Sequence, residues 1–143
     1  MSVKETVFEI LGVEEKPQSQ QQLVTVGLIR QGFPVETVGR VASRYGISSG
    51  QLAKMLGSSE RTISRRKKEK KSLDATSSDR IYRLARIFAL AEEVFSSPQV
   101  AQDWLKRPNR ALAGAIPFEL LDTDAGPQQV EEVLSRIEYG VYS

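Results

Sequence analysis

The sequence predicts an all-α fold, and three observations carry that expectation. Apolar residues recur every three or four positions, no stretch alternates apolar and polar residues over a strand's length, and glycines and prolines fall about one helix apart. With 143 residues and 40% hydrophobic side chains, the chain can bury a real core as one medium domain or two very small ones.

Residues 1–21 mix a short apolar piece, Val7 to Leu11, with a Pro-Gln-Ser-Gln tract and read as a mobile or loosely docked arm. From Leu23 to Gln31, Leu23, Val26 and Ile29 recur every three residues, which favours a helix; the β-branched content leaves a short strand as the alternative. Gly32 and Pro34 end that element. A second helix runs from about Val35 to Tyr45, with Val38, Val41 and Ala42 on one face and Gly46 just past its end. Ser48 or Ser49 can cap a helix over 50–56, which Gly57 stops, and Ser58 or Ser59 can cap the next, which carries Thr62, Ile63 and the run Arg65-Arg66-Lys67-Lys68.

After the polar stretch 72–77 comes the strongest helix, Ser78 to Phe95, whose wide apolar face (Ile81, Leu84, Ala85, Phe88, Ala91, Val94, Phe95) marks it as the central buried one. Prolines at 98, 108, 117 and 127 each stand where a helix could begin, giving short helices near 98–105, 108–113 and 117–121 and a longer one near 127–139. Trp104 reads as a core or rim aromatic, and Val130, Val133, Leu134 and Ile137 as core.

Composition bounds the chemistry. The chain has no Cys and no His, so thiolate and imidazole nucleophiles and the usual zinc ligands are missing; no enzyme, cofactor or metal is expected. Ser64 and Lys67 satisfy Ser-x-x-Lys without a companion motif, and the adjacent pairs Glu92-Glu93 and Glu131-Glu132 point about 100° apart on a helix. No glycine-rich phosphate loop is present. No run approaches the roughly 18 apolar residues of a membrane span and the opening residues lack a signal peptide's pattern, so a cytoplasmic protein is expected.

The net charge of +2 conceals a polarity: residues 1–60 sum to 0, residues 61–71 to +6 and residues 72–143 to −4. A basic centre and an acidic C-terminal region suggest two partners of different charge.

A helix-turn-helix needs a small residue where its helices cross, a residue tolerating positive φ in the turn and an apolar anchor on the second helix. Ala53, Gly57 and Ile63 supply these, and GQLAKMLGSSERTISRR resembles the Cro/repressor-type module. On that placement Glu60, Arg61, Ser64 and Arg65 face the major groove of operator DNA, and Gln51, Ser59 and Thr62 approach phosphates or the groove edge. Arg61 and Arg65 suit guanine, whereas Lys67 and Lys68 suit phosphates. Ser58 stands where the turn usually carries an apolar residue, and Arg66 where the recognition helix usually buries one more.

From Ala85 onward the chain resembles the toxin-binding domain of the Xre/MbcA/ParS antitoxin family. The resemblance rests on Ala91 and Phe95, Ala101 with Trp104-Leu105, Pro108-Asn109 with Leu112 and Gly114, Pro117 with Leu120-Leu121, and Thr123 and Gly126. It continues through Val130, Leu134, Ile137, Glu138 and Gly140, and Gly32-Phe33-Pro34 and Arg61-Thr62-Ile63-Ser64-Arg65-Arg66 fit the same family upstream. The resemblance implies a helix-turn-helix domain at 22–76 after the arm and a small helical toxin-binding domain at 77–143. It also implies a homodimeric antitoxin that represses its own operon and neutralises a cognate toxin, most commonly a RES-domain, NAD-consuming one.

A cleft that holds the pyrophosphate of NAD must present cations, and it attracts anionic mimics. Residues 119–143 carry six acids against the single Arg136, and the chain ends in Glu138-Tyr139-Gly140-Val141-Tyr142-Ser143, with a glycine to leave the helix, two tyrosines to stack and a terminal carboxylate. This tail is therefore the expected toxin-blocking element. The competing readings are a plain helix-turn-helix repressor with a C-terminal dimerisation domain, and a pure toxin binder whose helix-turn-helix is vestigial.

Overall fold

The computed structural model describes residues 2–14 and 21–140, and these are helical with no strand among them. Eight α-helices follow in order: α1 (Val3–Leu11), α2 (Gln21–Gln31), α3 (Glu36–Tyr45), α4 (Ser49–Met55), α5 (Glu60–Lys68), α6 (Ala75–Phe95), α7 (Pro98–Leu105) and α8 (Ala125–Glu138). Two 3-10 turns, Arg110–Leu112 and Pro117–Asp122, lie between α7 and α8.

The expectation of a mobile arm fails for residues 3–11. Ser2 and Glu5 form a capping box, Gly12 closes the helix in the left-handed conformation, and Val7, Ile10 and Leu11 are buried against the core. Each such burial contributes about 2 kcal/mol. Arg40 of α3 then donates to the carbonyls of Glu9 and Ile10, satisfying acceptors that the end of α1 leaves open. Residues 15–20 lie outside the described part of the chain.

α6 is the axis of the molecule, and α1, α2, α3, α7 and α8 all pack on it. It starts three residues before the expected Ser78, because Asp74 caps it by accepting from the Ser77 N–H at 2.7 Å. Ser77 and Ser78 are buried, and the Ser78 hydroxyl accepts from the Phe33 N–H at 2.9 Å, so these two polar residues are interior while Ser72, Asp74 and Thr76 stay exposed. The Phe33 carbonyl in turn accepts from Leu73. At Gly32 (φ +97) a side chain would bring its Cβ to 2.1 Å from the Leu73 carbonyl oxygen, which only glycine avoids.

The core is continuous across both halves of the chain. Tyr45 of α3, fully buried, donates to the Leu84 carbonyl at 2.6 Å and meets Phe88 edge-on and Phe118 at ring distances of 5.3 and 5.2 Å. Burial pushes its phenol far above the ordinary tyrosine range. Val130, Val133 and Leu134 of α8 are buried, Ile137 is half-buried, and the half-buried Trp104 stacks on Phe95 at 5.7 Å.

The remaining differences from expectation are local. Pro98 and Pro117 do open their elements, but Pro108 precedes a 3-10 turn capped by Asn109, and Pro127 is the third residue of α8. The elements expected at 108–113 and 117–121 are 3-10 turns, and α8 begins at Ala125. There the Gly126 Cβ position lies 1.5 Å from the Leu120 carbonyl oxygen, so the chain can enter α8 only through glycine.

The Asp74 cap gives the fold a measurable dependence. The hydrogen bond from the Ser77 backbone, aided by Arg66, holds the Asp74 carboxyl below its usual value. A depressed folded pKa supplies stability above the unfolded pKa of about 3.9 and loses it as pH falls through the folded value. Asp74→Ala is expected to cost about 1 kcal/mol at neutral pH, and the gap between the two proteins should narrow on acidification in thermal melts. A gap independent of pH would contradict the assignment.

Candidate functional site

Two surfaces of this fold carry the residues that the sequence singles out. On the first, α4 and α5 meet through a tight turn. Ala53 is fully buried, Gly57 takes φ +73, and the Ser58 N–H returns to the Ala53 carbonyl at 2.9 Å. Arg80 of α6 locks this turn by donating to the Leu56 carbonyl at 2.9 Å. A Cβ at Gly57 would stand 2.3 Å from that guanidinium, so sequence and packing agree on glycine.

Several of the predicted residues are engaged locally. Gln51 completes a capping box with Ser48: its side-chain oxygen accepts from the Ser48 N–H, which leaves its amide donors. Ser59 caps α5 by accepting from the Thr62 N–H and shares a 3.0 Å hydrogen bond with the Thr62 hydroxyl. The Glu60 carboxylate lies toward Gly50, at the amino end of α4.

Arg61, Ser64, Arg65, Lys67 and Lys68 are exposed, and none of these four cations has a carboxylate partner among the described residues. At 100° per residue, Arg61, Ser64, Arg65 and Lys68 share one outward stripe of α5. The structure thus brings the basic groups together on a surface where no carboxylate among the described residues pairs with them.

α5 is lightly seated. It has no fully buried side chain, Ile63 being half-buried, and it packs mainly on α4. Arg66, at the position where a second apolar anchor would sit, instead donates to the Ser72 carbonyl at 2.8 Å and lies 3.9 Å from the Asp74 carboxylate. Between α5 and α3 an open cleft of about 690 Å³ remains, with Glu60, Ser64 and Lys67 on one wall and Gly39, Arg40 and Ser43 on the other. A polar tether has replaced an apolar one.

The second surface is the end of α8. Glu138 and Tyr139 are exposed, Tyr139 by 79%, and Gly140 takes the left-handed conformation at φ +73. Val141, Tyr142 and Ser143 lie outside the described residues.

Three of the six acids of residues 119–143 are taken up inside the fold. Asp124 accepts from Arg83 at 2.8 Å, Glu131 takes a bidentate pair from Arg86 at 2.6 and 2.9 Å, and Glu132 pairs with Arg136. The Arg83 hydrogen bond lowers the Asp124 pKa, and the Glu131 hydrogen bond raises that of Arg86. The charge left to face a partner is smaller than the sequence suggests.

Sequence reasoning missed one grouping. Trp104, Arg107, Asn109 and Arg110 come together with Val133 and Ile137 of α8 around a second cleft, of about 430 Å³. The available signal was a cluster of cations, Lys106-Arg107-Pro-Asn-Arg110, inside an otherwise acidic region.

Residues 25–86 match the family model described as the antitoxin Xre-like helix-turn-helix domain, and residues 90–140 that of the antitoxin Xre/MbcA/ParS C-terminal toxin-binding domain. An "Antitoxin Xre" of Photorhabdus laumondii is 32% identical over 117 residues, covering 81% of this chain and 79% of its own. An "Antitoxin Xre" of Yersinia enterocolitica is 27% identical, covering 84% and 82%. A Sphingobium protein named "Prs ADP-ribosylating antitoxin" is 24% identical, covering 82% and 80%. The chain therefore belongs to the Xre antitoxin family, joining an Xre-like helix-turn-helix domain to an Xre/MbcA/ParS toxin-binding domain on one α6 axis.

Proposed function

We propose that this protein neutralises a RES-domain, NAD-consuming toxin in the cytoplasm by placing its C-terminal region in the toxin's active site, and that as a homodimer it represses its own operon. The observation that carries the first part is the way α8 ends. One face of α8 is buried, its last residues Glu138 and Tyr139 stand in solvent, and Gly140 follows in the left-handed conformation that ends a helix. An acid, an exposed phenol ring and the tyrosine at 142 match what a dinucleotide cleft binds, since it holds phosphates with cations and bases by stacking. The Sphingobium relative's name refers to ADP-ribosylation, a reaction that draws on NAD, which supports an NAD-consuming partner in general.

For the second part, support comes from the unpaired basic stripe of α5 on a helix-turn-helix, where a recognition helix enters the major groove. Counterion release from phosphates gives such a surface its affinity, and Arg61 and Arg65 are placed to read guanine. The light seating of α5 permits small adjustments of the helix in the groove.

Two measurements test the reading. With the purified product of the adjacent toxin gene, deletion of residues 139–143 is expected to restore NAD loss to the level of toxin alone; full inhibition by the shortened protein would contradict the active-site block. In a shift assay on the upstream DNA, Arg61→Ala should relax sequence choice at a cost of about 1–3 kcal/mol, while Lys67→Ala should weaken all sequences alike and flatten the salt slope by about one. Binding unchanged by both would place the DNA contact elsewhere than on α5.

A further inference from the structure

In the acidic half of the chain the arginines are largely committed. Arg83 pairs with Asp79 and Asp124, Arg86 with Glu131, Arg136 with Glu132, and Arg80 holds the Leu56 carbonyl. Arg107 and Arg110 differ. Both are exposed, and neither has a carboxylate within 4.0 Å among the described residues.

The Arg107 stem and the Arg110 backbone are nevertheless held in place. The Arg107 Nε donates to the Asp103 carbonyl at 3.2 Å, which fixes its stem. Arg110 opens a 3-10 turn that Asn109 caps by accepting from the Ala111 N–H at 2.9 Å. Backbone bonds from Asn109 to the Ala115 carbonyl, and from Leu112 and Gly114 to the Asn109 carbonyl, close the loop on itself. Arg107 and Arg110 both line the cleft of about 430 Å³, whose apolar wall is Trp104, Val133 and Ile137. Phe95 packs against the indole at a ring distance of 5.7 Å.

We propose that this cleft anchors the toxin, taking an acidic segment of the toxin surface that carries one large apolar side chain. The apolar side chain enters against Trp104, Val133 and Ile137, and the neighbouring carboxylates meet Arg107 and Arg110. Tryptophan and arginine are the residues that concentrate binding energy when an interface excludes water around them. Two cations spared from internal pairing, set in a region of net charge −4, select an anionic segment by local contact and disfavour the extended polyanion of nucleic acid. Every residue used here falls within the toxin-binding match at 90–140, and the proposal rests on the toxin-binding reading of that half. Ile137 both lines the cleft and immediately precedes Glu138, Tyr139 and Gly140, so a toxin seated there lies at the foot of the tail. Anchoring and inhibition then become separate tasks, the cleft supplying affinity and the tail blocking the reaction.

The test uses the full chain, the purified product of the adjacent toxin gene and the upstream DNA, with binding constants at two salt concentrations. Arg107→Gln/Arg110→Gln is expected to weaken toxin binding about a hundredfold, tenfold for each charge-assisted contact. Its salt dependence should flatten, with melting temperature and DNA binding unchanged. The chain shortened after Gly140 should keep its toxin affinity within a few-fold while losing inhibition. Equal toxin affinity of the double variant and the natural chain would overturn the cleft assignment and leave the toxin-binding reading intact. A loss of DNA affinity in place of toxin affinity would also overturn it, by assigning the cleft to nucleic acid. No binding by the natural chain would overturn the toxin reading and this inference with it.

Discussion

The burial of α6 is the constraint on which the rest of the structure depends. Ile81, Leu84, Ala85, Ile87, Phe88, Ala89 and Ala91 are all buried, and at 100° per residue they spread over about 200° of the helix circumference. A helix apolar on so many sides must be enclosed, and neither half of the chain has enough helices to do it alone. α1, α2 and α3 from one half and α7 and α8 from the other therefore share it, and Tyr45, Phe88 and Phe118 join the two halves at the centre. The functional surfaces are attached to this axis at different levels. Arg80 locks the α4–α5 turn and Phe95 supports Trp104, which by a rise of 1.5 Å per residue are about 22 Å apart along the helix.

Polar contacts then hold each surface to the axis by completing helix ends. Beyond the Arg80 lock on α4, Gln102 and Lys106 of the C-terminal half donate to the Arg44 and Gly46 carbonyls that close α3. Arg83 and Arg86 tie α6 to the start and middle of α8. The bonds to the Leu56, Arg44 and Gly46 carbonyls satisfy groups that helix formation leaves open, so they fix relative position at little extra desolvation cost. α5 is the exception: its attachment through Ile63 and the Arg66 tether is lighter than that of any helix wrapped on α6.

Much of this was legible in the sequence. Three-to-four spacing located the helices from 23 onward, and Gly32, Gly57 and Gly126 stand where backbone or guanidinium approaches too closely for a side chain. The first helix is hidden in the sequence because the Pro-Gln-Ser-Gln tract that follows it suggests an arm. Ser2-x-x-Glu5 and Gly12 marked its ends, but its docking depends on α6, far away in sequence. The start of α6 was placed late because Ala75, Thr76 and Ser77 look like a linker, whereas Asp74 caps them and Phe33 uses Ser78. The cleft around Trp104 joins residues 104–111 to Val133 and Ile137, and its two cations stand out only once the ion pairs that occupy the others are known. Local pattern reports elements and turns, while pairing of charges is a tertiary fact.

On the proposed reading the toxin is met at the C-terminal end of the α6–α8 layer, away from the helix-turn-helix. Amide hydrogen exchange on the chain, free and bound to the product of its neighbouring toxin gene, tests this most directly, since protection maps the buried contact residue by residue. New protection is expected over residues 104–112 and from Val133 to the end of the chain, with residues 57–68 exchanging as in the free protein. Protection concentrated on α4 and α5, with residues 104–112 and 133–140 unchanged, would place the toxin on the helix-turn-helix instead.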